Sequence, residues 1–315
     1  MAHPFRFVAA MPRLTDPVAW RAELRRIEDL GYWAVAISDH FTGGWVMDPL
    51  VAMAVATEAT STLRVLSLVL GNDYRHPVLL HKSLATLDVL SGGRVEVGIG
   101  AGWKPDDYHA AGIPFDPPGV RIDRLAESLT VLKGLFGSEP LTYQGKHYDI
   151  SELDGLPKPA QRPHPPLLVG GGSRRVLELA GTAADIAGIN ARMRPGVPAG
   201  TALLDLTGER VAEKLDTVRA AARAAGRDPA QLRYQISILS LHVTDVPEGR
   251  PWTSSLAAEV HDPAVLAGSP AVLHGSVAYC VETLQRRRER YGLDYIQFGG
   301  DPVAAAPIVA RLAGM

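Results

Sequence analysis

The feature that most constrains this chain is an alternation. Short runs rich in Val, Ile and Leu recur between longer stretches of helical period, at residues 5–10, 34–38, 64–70, 94–100, 166–170, 184–189, 232–239 and 294–298. The runs are apolar at consecutive rather than alternate positions, so they read as strands buried on both faces, as a parallel sheet covered by helices requires. Eight such strands, each followed by a helix, in one chain of 315 residues predict a (β/α)8 barrel. A doubly wound open sheet is the competing architecture. One domain is expected over residues 1–315, with irregular excursions at 137–165 and 242–275, the first holding an apparent hairpin, "LTYQGKHYDIS". In a barrel, long loops after strands shape the mouth of the active site.

Local signals support the helices. Asp16-Pro17, Asp48-Pro49 and His76-Pro77 each put proline at a first helical position, and in the first two the aspartate serves as N-cap. Trp20, Leu24 and Ile27 form one apolar stripe, and Ile122, Leu125, Leu129, Leu132 and Phe136 form another. Ser276 caps a helix whose basic run, Arg286-Arg287-Arg288, reads as a solvated face.

Charge and cysteine content narrow the function classes. Lys and Arg number 32 against 34 Asp and Glu, with no long block of one sign, so the basic footprint of a nucleic-acid binder is missing and an anionic membrane finds little to hold. The single cysteine, Cys280, lies on an apolar helix stripe and reads as a packed thiol; no Cys/His ligand spacing is present, and no metal site is expected. The opening "MAHPFRFVAAMP" lacks the apolar region of a signal peptide, and no apolar run approaches the ~20 residues of a membrane span. A cytoplasmic location is therefore expected.

Three loops at strand ends carry the candidate chemistry. "VEVGIGAGW", residues 95–103, closes a strand with alternate glycines. A dinucleotide fingerprint fails on spacing: counted from Gly98 the last glycine falls on Trp103, and counted from Gly100 it falls on Pro105. What remains is a strand end where backbone approaches something closely, either a flat, bulky ligand or the tightly packed barrel rim. In "VGGGSRR", residues 169–175, a strand enters glycines and then a helix start, so free N–H groups and the helix dipole favour a phosphate, with Ser173 and Arg174 or Arg175 adding donors or charge; a plain turn is the alternative. "SDHF", residues 38–41, ends the second strand. Its His40 either moves a proton near neutral pH or is simply satisfied in the loop.

Taken together, "ISDHF", "YRHPVLLHKSLATLDVLSGGRVEVGIGAGW" and "PPLLVGGGSRR" resemble the bacterial-luciferase-like superfamily over nearly the whole chain. "AGIPFDPPGVRIDRL" looks most like the branch that uses the deazaflavin coenzyme F420. The resemblance implies a tricyclic ring at the C-terminal mouth of the barrel. Gly100, Ala101 and Gly102 would run beside it, Asp39 and His40 would flank it, and Gly170, Gly171, Gly172 and Ser173 would anchor its phosphate. It also implies a non-prolyl cis bulge against the ring at the end of the third strand, aligned on Ser67–Leu68, with Leu70 just beyond. His40 would move the proton. Trp45 corresponds to a pocket tryptophan, one residue further along, and Asp106 falls near a pocket asparagine. Trp103 stands where F420-dependent glucose-6-phosphate dehydrogenases carry a glutamate, which argues against their sugar-phosphate chemistry and for a pocket wall. The implied activity is hydride transfer between F420 and a small neutral organic substrate. The alternatives are an FMN-dependent monooxygenase and a non-catalytic flavin carrier. A homodimer is expected, with "MDPLVAMAVATEA" as a candidate face.

Overall fold

Eight parallel strands close on themselves. They are β1 (Arg6–Ala10), β2 (Ala34–Ile37), β3 (Arg64–Ser67), β4 (Val95–Gly100), β5 (Leu167–Gly171), β6 (Ile186–Ile189), β7 (Arg233–Ile238) and β8 (Leu293–Phe298). Strand β1 pairs with both β2 and β8, and β3 pairs with β4 through Val65 opposite Val95 and Leu66 opposite Glu96. That closure makes the molecule a (β/α)8 barrel and rules out the open sheet. The computed structural model describes residues 3–44, 47–193, 204–246, 252–253 and 268–315.

The helices are α1 (Pro17–Asp29), α2 (Pro49–Ala59), α3 (Pro77–Leu90), α4 (Pro105–Ala111), α5 (Pro118–Phe136), α6 (Arg174–Ala183), α7 (Gly208–Ala224), α8 (Val277–Tyr291) and α9 (Pro302–Leu312). Their starts follow the sequence. Asp16 Oδ1 accepts from the Val18 and Ala19 amides at 3.0 and 2.8 Å, and Asp48 Oδ1 accepts from Leu50 and Val51 at 2.9 and 3.0 Å. His76 caps α3 in the same way through Nδ1, a role not read from its sequence. Among the described residues, no helix is long and apolar enough to cross a membrane.

Two cores result from strands buried on both faces. Outward residues such as Val35, Val65, Val97 and Val169 pack with Leu24, Ile27, Leu84 and Leu129 of the helices. Inward residues Val8, Ala34, Ala36, Leu66, Leu168, Ile186 and Tyr295 fill the barrel. Nearer the strand starts, the fully buried Glu96 accepts from Trp33 Nε1 at 2.9 Å, from Arg64 Nε at 2.8 Å and from the Tyr295 hydroxyl. A carboxylate is tolerable there because several donors replace its water.

The excursions are partly regular. Leu141–Gln144 pairs antiparallel with Asp149–Leu153, as the hairpin reading expects. Ser240–Val243 pairs parallel with Val272–Gly275 beside the barrel, and the intervening residues 247–251 and 254–267 lie outside the described ones. Cys280 is buried, which pushes its thiol up to about 11. The reading of the basic run as a solvated face holds for the exposed Arg286 and is corrected at Arg287. Arg287 turns inward and donates to the carbonyls of Ser269, Pro270 and Val272, so burial rather than solvent sets its surroundings.

One buried group makes stability depend on pH. His81 of α3 is 2% exposed, packs 5.0 Å from the Phe136 ring, and has an unpartnered Nε2. Burial, with help from the Lys158 charge, lowers its pKa from 6.5 to about 4. The folded state therefore holds it neutral while the unfolded chain takes up a proton below pH 6.5. Its contribution is present above that pH and is lost as pH falls towards 4. His81→Leu should flatten the stability profile across that window. We expect the loss between pH 7 and pH 4, measured by urea unfolding, to shrink by about 1–2 kcal/mol after allowing for screening.

Candidate active site

The ends of β2, β3, β4 and β5 meet at one mouth of the barrel. Strand β3 stops at Ser67, and a cis peptide follows between Leu68 and Val69. This corrects the Ser67–Leu68 position aligned from the sequence by one residue. The chain then re-enters the sheet at Leu70–Gly71, which pairs with Ile99 and Gly100. Ser67 is fully buried, its hydroxyl bonded at 2.9 Å to both the Gly98 amide and the Gly98 carbonyl. Ser38 Oγ donates to the Leu68 carbonyl at 3.0 Å, tying β2 to the bulge. Asp39, 4% exposed, accepts from the Gly71 amide at 3.1 Å and forms a two-pronged pair with Arg75. Its carboxylate thus holds the chain just beyond the bulge.

The bulge explains the glycines. A methyl group built on Gly98, Gly100 or Gly170 would lie 3.0–3.1 Å from a γ-carbon of Val69. Bare backbone on β4 and β5 therefore makes room for the Val69 side chain. At Gly98 the same methyl would also sit 2.0 Å from the Ser67 carbonyl oxygen. Gly102 has a φ of +74°, and its methyl would fall 1.8 Å from the Tyr108 hydroxyl. The Ala101 and Gly102 carbonyls accept from Arg121 Nη1 at 3.4 and 2.7 Å. These contacts account for the bare backbone at Gly98 and Gly102 by packing at the rim.

His40 stands beside this floor. Its Nδ1 lies 2.6 Å from Asp107 Oδ2, and its ring meets the half-exposed Trp103 edge-on at 5.8 Å. Asp107 Oδ1 accepts from the Thr42 amide at 2.9 Å, from Thr42 Oγ1 at 2.6 Å and from the Phe41 amide at 3.2 Å. Burial raises the Asp107 pKa, but the hydrogen bonds from Thr42 and His40 outweigh it and hold the carboxyl below its usual range. Asp106, the residue singled out from sequence, is exposed on α4. Neighbouring positions on a helix point about 100° apart, so only one of the two acids faces the histidine. The buried Tyr108 marks that inward side. Trp45 lies outside the described residues.

The β5–α6 loop forms the opposite side. Ser173 is the N-cap of α6 in an extended conformation, and its own side chain makes no bond to the helix's first turn. A methyl on Gly172 would lie 2.4–2.5 Å from the backbone of Asn190, Ala191 and Arg192. Lys214 Nζ fixes the Gly172 carbonyl at 3.0 Å and pairs with Asp205 at 2.6 Å. Arg174 and Arg175 pair with Glu178 and Asp123, at 2.8 and 2.6 Å, in exposed positions. Gln235 of β7, fully buried with an unpartnered Oε1, is a polar group the sequence reading missed; a single Gln in an apolar strand was its only signal.

Comparison with known proteins agrees with this fold. The family described as luciferase-like monooxygenase matches residues 8–250. An FMNH(2)-dependent dimethylsulfone monooxygenase of Pseudomonas putida is 28% identical over 72% of the chain, which spans only 63% of that relative. An F420-dependent tetrahydromethanopterin reductase of Methanopyrus kandleri superposes over 99% of both chains with a TM-score of 0.77 at 17% identity. An F420-dependent secondary alcohol dehydrogenase, solved with an F420–acetone adduct, gives 0.75 at 18% identity over 99% of this chain and 98% of its own.

Proposed function

We propose, from the premise that this chain belongs to the luciferase-like monooxygenase family, that it is an F420-dependent oxidoreductase acting on a small neutral organic substrate. The observation that carries the reading is His40, held at the barrel mouth by a buried carboxylate and flanked by Trp103. The residues present suit a flat ring with a phosphate. Ser173, the N-cap of α6, makes no capping bond with its own side chain, so its hydroxyl is not committed to the helix. Amides there would hold the phosphate. When bound, the deazaflavin supplies a two-electron hydride carrier. The chain's own part is to position, to exclude water with Trp103, and to move a proton through His40. Hydride transfer between carbon atoms of an alcohol or carbonyl pair must be matched by a proton at oxygen, and an imidazole suits that task near neutral pH.

A second reading, an FMN-dependent monooxygenase, draws on the sulfone-oxidising relative. Fluorescence titration of the protein with each oxidised cofactor separates the two. We expect saturable quenching with F420. Tight FMN binding with no response to F420 would overturn the deazaflavin assignment. His40→Ala should keep cofactor affinity and lose turnover; turnover absent from the native protein with every substrate would favour a carrier.

A further inference from the structure

We infer that Asp107 is the positioning residue for His40, holding its ring in the tautomer whose proton lies on Nδ1 and so making Nε2 the basic nitrogen. This deepens the proposed oxidoreductase reading and rests on it for its kinetic part.

The argument starts from donor and acceptor counts. A neutral imidazole has one donor nitrogen and one acceptor. An ionised carboxylate only accepts, so the 2.6 Å contact from Asp107 Oδ2 places the imidazole proton on Nδ1. Asp107 is itself immobilised. Its other oxygen takes three bonds from the Phe41–Thr42 turn, which directly follows His40 in the chain, so one carboxylate fixes both the ring and the backbone carrying it. The same bonds hold the Asp107 carboxyl below its usual range, so Asp107 orients the proton carrier without giving up a proton of its own.

The charges among the described residues around it leave that pairing in place. Lys104 Nζ lies 3.8 Å from Asp107 Oδ1 and donates to the Thr42 carbonyl at 3.1 Å. Asp39, next to His40 in sequence, is matched by Arg75, which also reaches Asp48. On the aromatic side, burial raises the Tyr74 and Tyr108 pKa values, so both phenols stay neutral, and Tyr108 donates to Asp73. When His40 takes a second proton, the Asp107 anion is the partner it already touches, and the ion pair forms without rearrangement.

The test begins on the protein without cofactor. Imidazole nitrogen NMR of the native protein should show His40 protonated at Nδ1 in its neutral form, and Asp107→Asn should move a substantial fraction to the Nε2–H tautomer. In the loaded enzyme, the same substitution should slow hydride transfer about 10–100-fold, with cofactor affinity held within about twofold, and should shift the pH–rate profile. An Nε2–H tautomer in the native protein would overturn the inference. So would an Asp107→Asn protein with unchanged tautomer and rate, or one losing cofactor affinity in step with rate. Should that variant fail to fold, the native spectrum still decides. If neither cofactor binds, the proposed activity falls while the spectrum continues to judge the role of Asp107.

Discussion

Ser173→Asp will weaken binding of a phosphate-bearing cofactor about a hundredfold while leaving the protein at least as stable as before. The asymmetry follows from where Ser173 sits. It is the N-cap of α6, and its hydroxyl makes no bond to the helix. Aspartate is as good an N-cap as serine, and a negative charge at a helix N-terminus adds about 0.3–1 kcal/mol. The introduced carboxylate would accept from the first-turn amides that Ser173 does not cap in the native protein, and it would oppose a phosphate in the same place. A hundredfold loss corresponds to about 2.7 kcal/mol. Ser173→Ala removes only one neutral donor and should cost a few-fold at most. Cofactor titration together with a thermal melt measures both halves. Falling stability with unchanged affinity would remove the anion site from this loop. The result does not depend on the choice between F420 and FMN, since both carry a phosphate.

How much of this was legible in the sequence depended on how local each cause is. The strands of the barrel were legible because a strand covered on both faces must be apolar at consecutive positions. The caps at Asp16 and Asp48 were legible because the acid, the proline and the amides they serve lie within three residues. Contacts between distant segments were not. Asp107 meets His40 across 67 positions, and only the helical phase of α4 separates it from Asp106. Glu96 sits in an apolar run, and its donors come from β3, β8 and the residue before β2. The alternate glycines at 98, 100 and 102 were visible as a need for bare backbone, yet what fills the space, Val69 in one case and Tyr108 in another, arrives from other parts of the chain. Arg287 misled because a run of three arginines on a helix suggests solvent, whereas the middle one finds three carbonyls at the end of a neighbouring segment.

Gly98→Ala should be the most destabilising single methyl in the barrel wall, by about 3 kcal/mol or more, whereas Gly100→Ala should cost about 1 kcal/mol. Both new methyl groups would press on Val69, at 3.1 and 3.0 Å. The difference lies in what else they meet. At Gly98 the obstacle is the Ser67 carbonyl oxygen at 2.0 Å, part of the β3 backbone, and Ser67 is already locked to Gly98 by two hydrogen bonds. Relief there requires β3 to move away from β4 at the very point where the two close the barrel. At Gly100 the main obstacle is the end of a valine side chain, with the Gly170 carbonyl at a softer 3.3 Å. Val69→Ala should therefore rescue Gly100→Ala in a double-mutant cycle and leave Gly98→Ala nearly as damaged as before. Urea unfolding of the three single and two double variants reads the coupling directly. Equal rescue at both positions would mean that Val69, and not the β3 backbone, sets the limit at Gly98, and the barrel wall would then be more yielding beneath the mouth than its hydrogen bonds imply.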